Sequence, residues 1–271
     1  MSKRNSQSSK AAARERLRAE REKQARKDKV RRQVVVAASA LGILAVAGGV
    51  GFAVVQAGKP SGWEAASDAK DITAPKNTEG ADGTTVVIGK PEAKKTLEIY
   101  EDSRCPVCAT FEQGVGATVE KDVADGKYKL KYIGATFIDN SDQGEGSKNA
   151  LSALGAALDV SPEAFLKYKA ALYSAEFHPE ESDDKFAEDS YLLKAADSVP
   201  ALKGNAEFRK NVENGTFDSW AMKMSKAFDN SGVRGTPTLK MDGKAVTAEG
   251  SENPPLTVEQ FTTAVDKALK A

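Results

Sequence analysis

The chain of 271 residues contains two cysteines, and they stand two residues apart in Cys105-Pro106-Val107-Cys108. So close a pair cannot tie distant segments together, so no disulfide framework braces the fold and its stability has to come from an apolar core. Its use is therefore chemical or trivial. A composition of 40% hydrophobic and 29% charged residues is that of a globular chain with room for one or two domains. With a single histidine, His178, too few ligands or bases remain for most zinc sites and most histidine-activated nucleophiles. No metal and no cofactor is expected.

The surroundings of the pair favour sulfur chemistry. Thr96 to Tyr100 predicts a strand that leads into the cysteines, and Phe111, Val115 and Val119 predict a helix after them. Cys105 then faces the unpaired N–H groups and the positive dipole end of that helix. In such a setting a cysteine pKa commonly falls from about 8.5 to roughly 3.5–7.5, which makes the thiolate available for disulfide exchange. Cys108, one turn on, is placed to close an intramolecular disulfide and to resolve a mixed one. Pro106 suits the first helical turn, where a missing N–H costs nothing. Arg104 adds a positive charge that favours the thiolate modestly if exposed, whereas Val107 offers neither charge nor donor, so the redox potential stays open. The alternatives are an inert structural disulfide and a metal or copper half-site, and no second Cys-x-x-Cys or histidine cluster exists to complete a tetrahedral site.

The zero net charge conceals an uneven distribution. Residues 1–33 carry 13 Lys/Arg against four Asp/Glu, so this head is +9 and the remainder −9. From Val34 to Val55 run 22 residues without a charge. About 20 apolar residues at 1.5 Å rise cross a bilayer core, which predicts one transmembrane helix. Arg31 and Arg32 directly before it keep the head cytoplasmic and put everything after Val55 outside. The competing expectation is a cleaved signal peptide with its cleavage site near Ala57, and both place the rest extracytoplasmically. The head reads as a solvated helix or disordered tail attracted to anionic lipid, with no aromatic or motif that suits nucleic acid. Ala47 and Gly51 have the small-xxx-small spacing of paired helices.

Gly and Pro among scattered charges over 56–83 predict a flexible linker, with Trp63 at headgroup level. The folded part is expected over 84–271. Strands are predicted at Thr84 to Ile88, Thr96 to Tyr100, Tyr128 to Ile138 and Thr238 to Met241, the last turning at Asp242-Gly243 into Ala245 to Thr247. Between about 145 and 229 the pattern is helical, with Leu151, Leu154 and Leu158 on one face, Phe165, Tyr168 and Leu172 on another, and Phe217, Trp220, Met224 and Phe228 in a core stripe. Ser161-Pro162 starts a helix, Asn214-Gly215 stops one, and Thr257 with Gln260 caps a last helix whose face is Phe261, Val265 and Leu269.

Val87-Ile88-Gly89, Asp102 three before the first cysteine, Cys-Pro-x-Cys, and Gly235-Thr236-Pro237-Thr238 far downstream together resemble the DsbA-like branch of the thioredoxin superfamily. The resemblance spans 84–271. It implies an α/β thioredoxin-like fold with an inserted helical domain, here preceded by the transmembrane helix, and a cis Thr236-Pro237 bond at which an extended substrate pairs beside the sulfur. It implies an enzyme, with Cys105 and Cys108 catalytic, Thr236 and Pro237 binding substrate, and Pro106, Val107, Arg104 and Asp102 modulating the site. Reduced exported proteins would be the substrates, oxidised through a mixed disulfide at Cys105 that Cys108 resolves, with a membrane redox partner recycling the pair. A reductase or isomerase uses the same sulfurs in the other direction, and a non-catalytic anchored adaptor uses the fold alone. One departure from the family pattern is Ile99, where related sequences often carry a buried glutamate. Glu98 and Glu101 are its polar neighbours, either a solvated strand residue or a replacement for that acid, so the proton route stays open; Asp102 is read as a capping or loop residue, and His178 as a surface residue.

Overall fold

Residues 62–80 and 83–271 are described by the computed structural model. The basic head, the apolar run 34–55, the Ala47 and Gly51 pair and the cleavage site near Ala57 lie outside them. Among the described residues no helix is long and apolar enough to cross a membrane.

The chain opens with helix α1 (Gly62–Ser67), then β1 (Val86–Ile88) and β2 (Thr96–Asp102). Helix α2 (Pro106–Phe111) passes through a π-helical turn (Glu112–Gly116) into α3 (Ala117–Asp125), and β3 (Lys129–Ala135) follows. Then come α4 (Ile138–Asp142), α5 (Gly146–Val160), α6 (Pro162–Leu172), α7 (Asp189–Ala196), α8 (Ala206–Glu213) and α9 (Asp218–Asp229). Strands β4 (Thr238–Met241) and β5 (Lys244–Ala245) precede the last helix, α10 (Val258–Lys270).

The strands form one mixed sheet in the order β1-β3-β2-β4-β5, with β2 parallel to β3 and the other pairings antiparallel. A parallel pair needs a crossover, and α2 with α3 supplies it. Leu97 opposite Leu130 and Ile99 opposite Tyr132 put one face of the central strands into a core shared with Phe111, Val115, Val119 and Phe261. The other face is covered by Phe228 and Val233 against Tyr100, Ile133 and Ala135. Both faces of β2 are thus dry at its C-terminal end, where the cysteines follow.

The caps form as the residue types dictate. The Ser161 hydroxyl accepts from Ala164 N at 3.0 Å with Pro162 in the first turn, and Thr257 accepts from Gln260 N at 3.3 Å. The core stripe of α9 is buried, and Trp220 Nε1 donates to Gly83 O at 2.7 Å. Burying an apolar side chain of that size contributes about 1.5–3 kcal/mol.

Three expectations change. The linker expected over 56–83 is ordered in its described part: α1 packs against α9 with Trp63 half-buried, and Asp159 accepts from both Lys76 N (2.9 Å) and Lys76 Nζ (2.8 Å). Such an extended segment is held by partners far away in sequence, so it shows no periodicity of its own. Strand β3 ends at Ala135 rather than at Ile138, because Ile138 N donates to the Asp102 carboxylate and the chain turns off the sheet. The helical stretch is interrupted between α6 and α7 by a loop with only a short 3-10 turn at Lys185–Ala187.

Candidate active site

Strand β2 ends at Asp102, a turn closes through Cys105 N donating to Asp102 O at 2.9 Å, and Cys105 is the N-cap of α2 with extended backbone (φ −72°, ψ 119°). Its sulfur accepts from Cys108 N at 3.4 Å and lies 3.4 Å from the carbonyl oxygen of Thr236. Both cysteines are free thiols. They differ in setting: Cys105 retains 6% exposure and Cys108 none. The Cys108 thiol donates to the Cys105 sulfur, and with the backbone N–H groups of Cys108 and Val107 this outweighs burial and lowers the Cys105 pKa to about 6. The Thr236 hydroxyl faces the sulfur and lowers it further, although it makes no hydrogen bond of normal geometry. Burial raises the Cys108 thiol well above its ordinary value, and the charge of Glu101 adds to that.

Glu101 is the buried acid of the site. It is fully buried, not a solvated strand residue, and its carboxylate meets Lys169 Nζ at 3.2 Å without a hydrogen bond of normal geometry to either oxygen. Lys169, from α6, also pairs with Glu112 in the π-helical turn. That turn accommodates Glu112 because residue 116 is glycine: a Cβ there would lie 2.6 Å from the Glu112 carboxyl carbon. Two buried carboxylates thus share one ammonium. Burial raises Glu101 to about 7 against the pull of Lys169, and it lies within electrostatic reach of both sulfurs. The period of two along β2 puts Glu101 on the face of Leu97 and Ile99, a signal in the sequence that pointed to burial.

Asp102 is buried as well. Its Oδ1 accepts from Arg104 N (3.1 Å) and Ser147 Oγ (2.6 Å), and its Oδ2 from Ile138 N (3.2 Å). Burial raises its pKa to about 7 against these three hydrogen bonds. Arg104 does not face the thiolate as an exposed charge. Its guanidinium is fully buried, pairs with Asp139 (3.0 Å) and Asp184 (3.1 Å), and donates to Glu181 O at 2.6 Å. A long cation beside buried carboxylates turns toward them and away from a neutral helix start.

Across the sulfur, the Thr236-Pro237 peptide is cis. Pro106 occupies the first turn of α2, and Val107 is exposed at the surface beside the sulfur. Its side chain offers nothing polar, but its backbone N–H does act on the sulfur. Phe137, also exposed, stacks on Phe228 at 5.8 Å between centroids. His178 is not a surface residue: it is half-buried and stacks on Tyr173 at 5.8 Å, and burial lowers its pKa. Tyr173 in turn donates its hydroxyl to Asp102 O at 3.0 Å.

A family model described as thioredoxin matches residues 81–267. Serine/threonine-protein kinase PknE of Mycobacterium tuberculosis is 25% identical over 166 residues, which is 59% of this chain but only 29% of the length of that kinase. Disulfide bond formation protein D of Bacillus subtilis is 24% identical over 161 residues, 59% of this chain and 68% of its own length. The solved structure of a reduced disulfide bond oxidoreductase (DsbG) from Mycobacterium tuberculosis aligns with a TM-score of 0.53 at 25% identity, covering 68% of this chain and 88% of that one.

Proposed function

We propose that this chain, which belongs to the thioredoxin family, is a thiol-disulfide oxidoreductase that oxidises cysteine pairs of exported proteins. The observation that carries this is the inequality of the two sulfurs. One keeps a narrow opening to solvent, 6% exposed, and is held near a pKa of about 6; the other is sealed and held protonated.

In the oxidising direction a substrate thiolate attacks Cys105 Sγ of the disulfide, and the Cys105–Cys108 bond breaks. Cys108 leaves with the electron pair and needs a proton, for which Glu101 is the carboxyl within electrostatic reach. A second substrate thiolate then attacks the substrate sulfur of the mixed disulfide. Cys105 departs as thiolate, and two electrons have passed from substrate to enzyme. Resolution by Cys108, expected from the resemblance for the oxidising reaction, belongs instead to the reverse direction: it re-forms the Cys105–Cys108 bond and releases the substrate sulfur as a thiol. The low pKa of Cys105 favours the oxidising direction, because it stabilises the reduced form: moving from about 9 to about 6 is worth about 1.4 kcal/mol at pH 7, roughly 30 mV.

The uncharged run 34–55 and its basic flank support a site outside the cytoplasm on a single-pass membrane protein, with a membrane partner to reoxidise the pair. The test is oxidation of reduced RNase by the full chain in detergent. Wild type restores RNase activity and Cys105→Ser falls to the uncatalysed rate; an unaffected variant overturns the assignment. Equilibration with glutathione settles direction, since a strongly reducing potential would make the protein an electron donor.

A further inference from the structure

The Asp102 carboxylate has no part in the exchange steps, yet it is buried and takes hydrogen bonds from three separate places. Arg104 N belongs to the turn that carries the nucleophile, Ile138 N to the segment whose side chain packs on Cys105 and Cys108, and Ser147 Oγ to the first turn of α5. The carbonyl of the same residue accepts from Cys105 N and from the hydroxyl of Tyr173, just past the end of α6. One residue at the end of β2 thus joins the nucleophile's turn to the helices inserted between β3 and β4.

Building on the exchange reaction set out above, we propose that Asp102 is a positioning residue. Its carboxylate, braced by Ser147, holds the 102–105 turn so that the Cys105 sulfur stays on the amides of α2 and beside Thr236. An aspartate accepting from the N–H two residues on closes an Asx turn, and here that N–H belongs to Arg104, directly before the N-cap. With the carboxylate gone, Arg104 N and Ile138 N can no longer both be held by one side chain, the extended N-cap conformation of Cys105 loosens, and the sulfur drifts off the donors that stabilise its thiolate. Ser147 matters because its 2.6 Å hydrogen bond is the contact that fixes the carboxylate from the α5 side. The inserted helices therefore act on the reactivity of the sulfur through the turn that carries it, as well as by packing against it.

The experiment is the pH dependence of Cys105 alkylation by iodoacetamide in the reduced full chain. It is run on wild type, Asp102→Asn, Ser147→Ala, Ser147→Thr and the double variant of Asp102→Asn with Ser147→Ala, with thermal unfolding of each and oxidation of reduced RNase in parallel. Asp102→Asn keeps an acceptor for Arg104 N but sets an amide N–H against Ile138 N. It is expected to raise the alkylation midpoint by about one pH unit and to slow RNase oxidation about tenfold. Ser147→Ala shifts both in the same direction by about threefold, Ser147→Thr restores them, and the double variant is no worse than Asp102→Asn because both act through one contact. Variants that melt earlier while midpoint and rate stay at wild-type values would reduce Asp102 to a brace of the fold and overturn the proposal. Should Asp102→Asn fail to fold, the Ser147 pair decides in the same way. A wild-type chain that does not oxidise RNase, yet whose alkylation midpoint responds to Asp102, would sink the oxidase function and leave the positioning role standing.

Discussion

Two clusters of buried charge flank the turn that carries Cys105, and they start from neighbouring residues of β2. On one side Asp102 and Arg104 meet Asp139, Asp184, Ser147 and Ile138 N, with three hydrogen bonds to the Asp102 carboxylate and two ion pairs to the guanidinium. On the other, Glu101 shares Lys169 with Glu112 and has no hydrogen bond of normal geometry. Asp102 and Glu101 are equally buried, but only the Asp102 carboxylate has its hydrogen bonds filled. A carboxylate with its acceptors filled has one stable arrangement and serves as a brace, whereas one short of donors lets a proton enter and leave. Scaffold and chemistry are thus told apart by hydrogen-bond satisfaction rather than by charge or depth.

The largest expected effect is on the saturated side. Arg104→Gln leaves Asp139 and Asp184 without their shared counter-ion, and breaking a buried pair costs about 3–5 kcal/mol. Urea denaturation would show it as a lower midpoint, and a midpoint equal to wild type would break the contrast. Next comes the sulfur between the clusters. A thiol whose folded pKa lies below its unfolded value stabilises the reduced fold fully above the unfolded pKa and loses that stabilisation as pH falls through the folded one. Relative to the oxidised form, the reduced form should therefore gain roughly 3–4 kcal/mol between pH 6 and pH 9, read from paired unfolding curves at each pH.

Smaller is the effect of Glu101→Gln. Without a carboxyl to supply the proton, reduction of the oxidised chain by dithiothreitol near neutral pH should slow about 100-fold, the scale of general acid catalysis. The same variant sharpens the comparison in stability. The Glu101 pKa is raised by burial, so wild type loses stability on its account as pH rises from the ordinary carboxylate range to about 7, and Glu101→Gln should flatten that decline. Smallest is Thr236→Val, which removes a loosely placed hydroxyl: the Cys105 alkylation midpoint should rise by a few tenths of a pH unit at most.

Much of the arrangement was legible in the residues. The strand before the cysteines, the helix after them, the capped starts at Ser161 and Thr257 and the turn at Asp242-Gly243 all rest on local chemistry and form where that chemistry puts them, although the return strand is Lys244–Ala245 rather than Ala245 to Thr247. The cis bond at Thr236-Pro237 came from family resemblance, not from spacing. Glu101 was left undecided, although the period of two along β2 marks its inward face. Arg104 and His178 were misjudged because the depth of a polar side chain is set by packing of distant segments, which leaves no mark on neighbouring residues. The ordered stretch around Lys76 escaped in the same way, because its hold on Asp159 is a contact across 83 residues.

The sequence by itself determined that this chain would present one cysteine at the start of a helix with a second one turn behind it, because strand, proline and helix signals act over a few residues and need no distant partner. Only the tertiary structure decided which acid would reach the buried sulfur, which charges would be neutralised, and which helix would steady the turn. Desolvation and hydrogen-bond satisfaction are properties of surroundings assembled from segments far apart in the chain, and they exist only once those segments have packed.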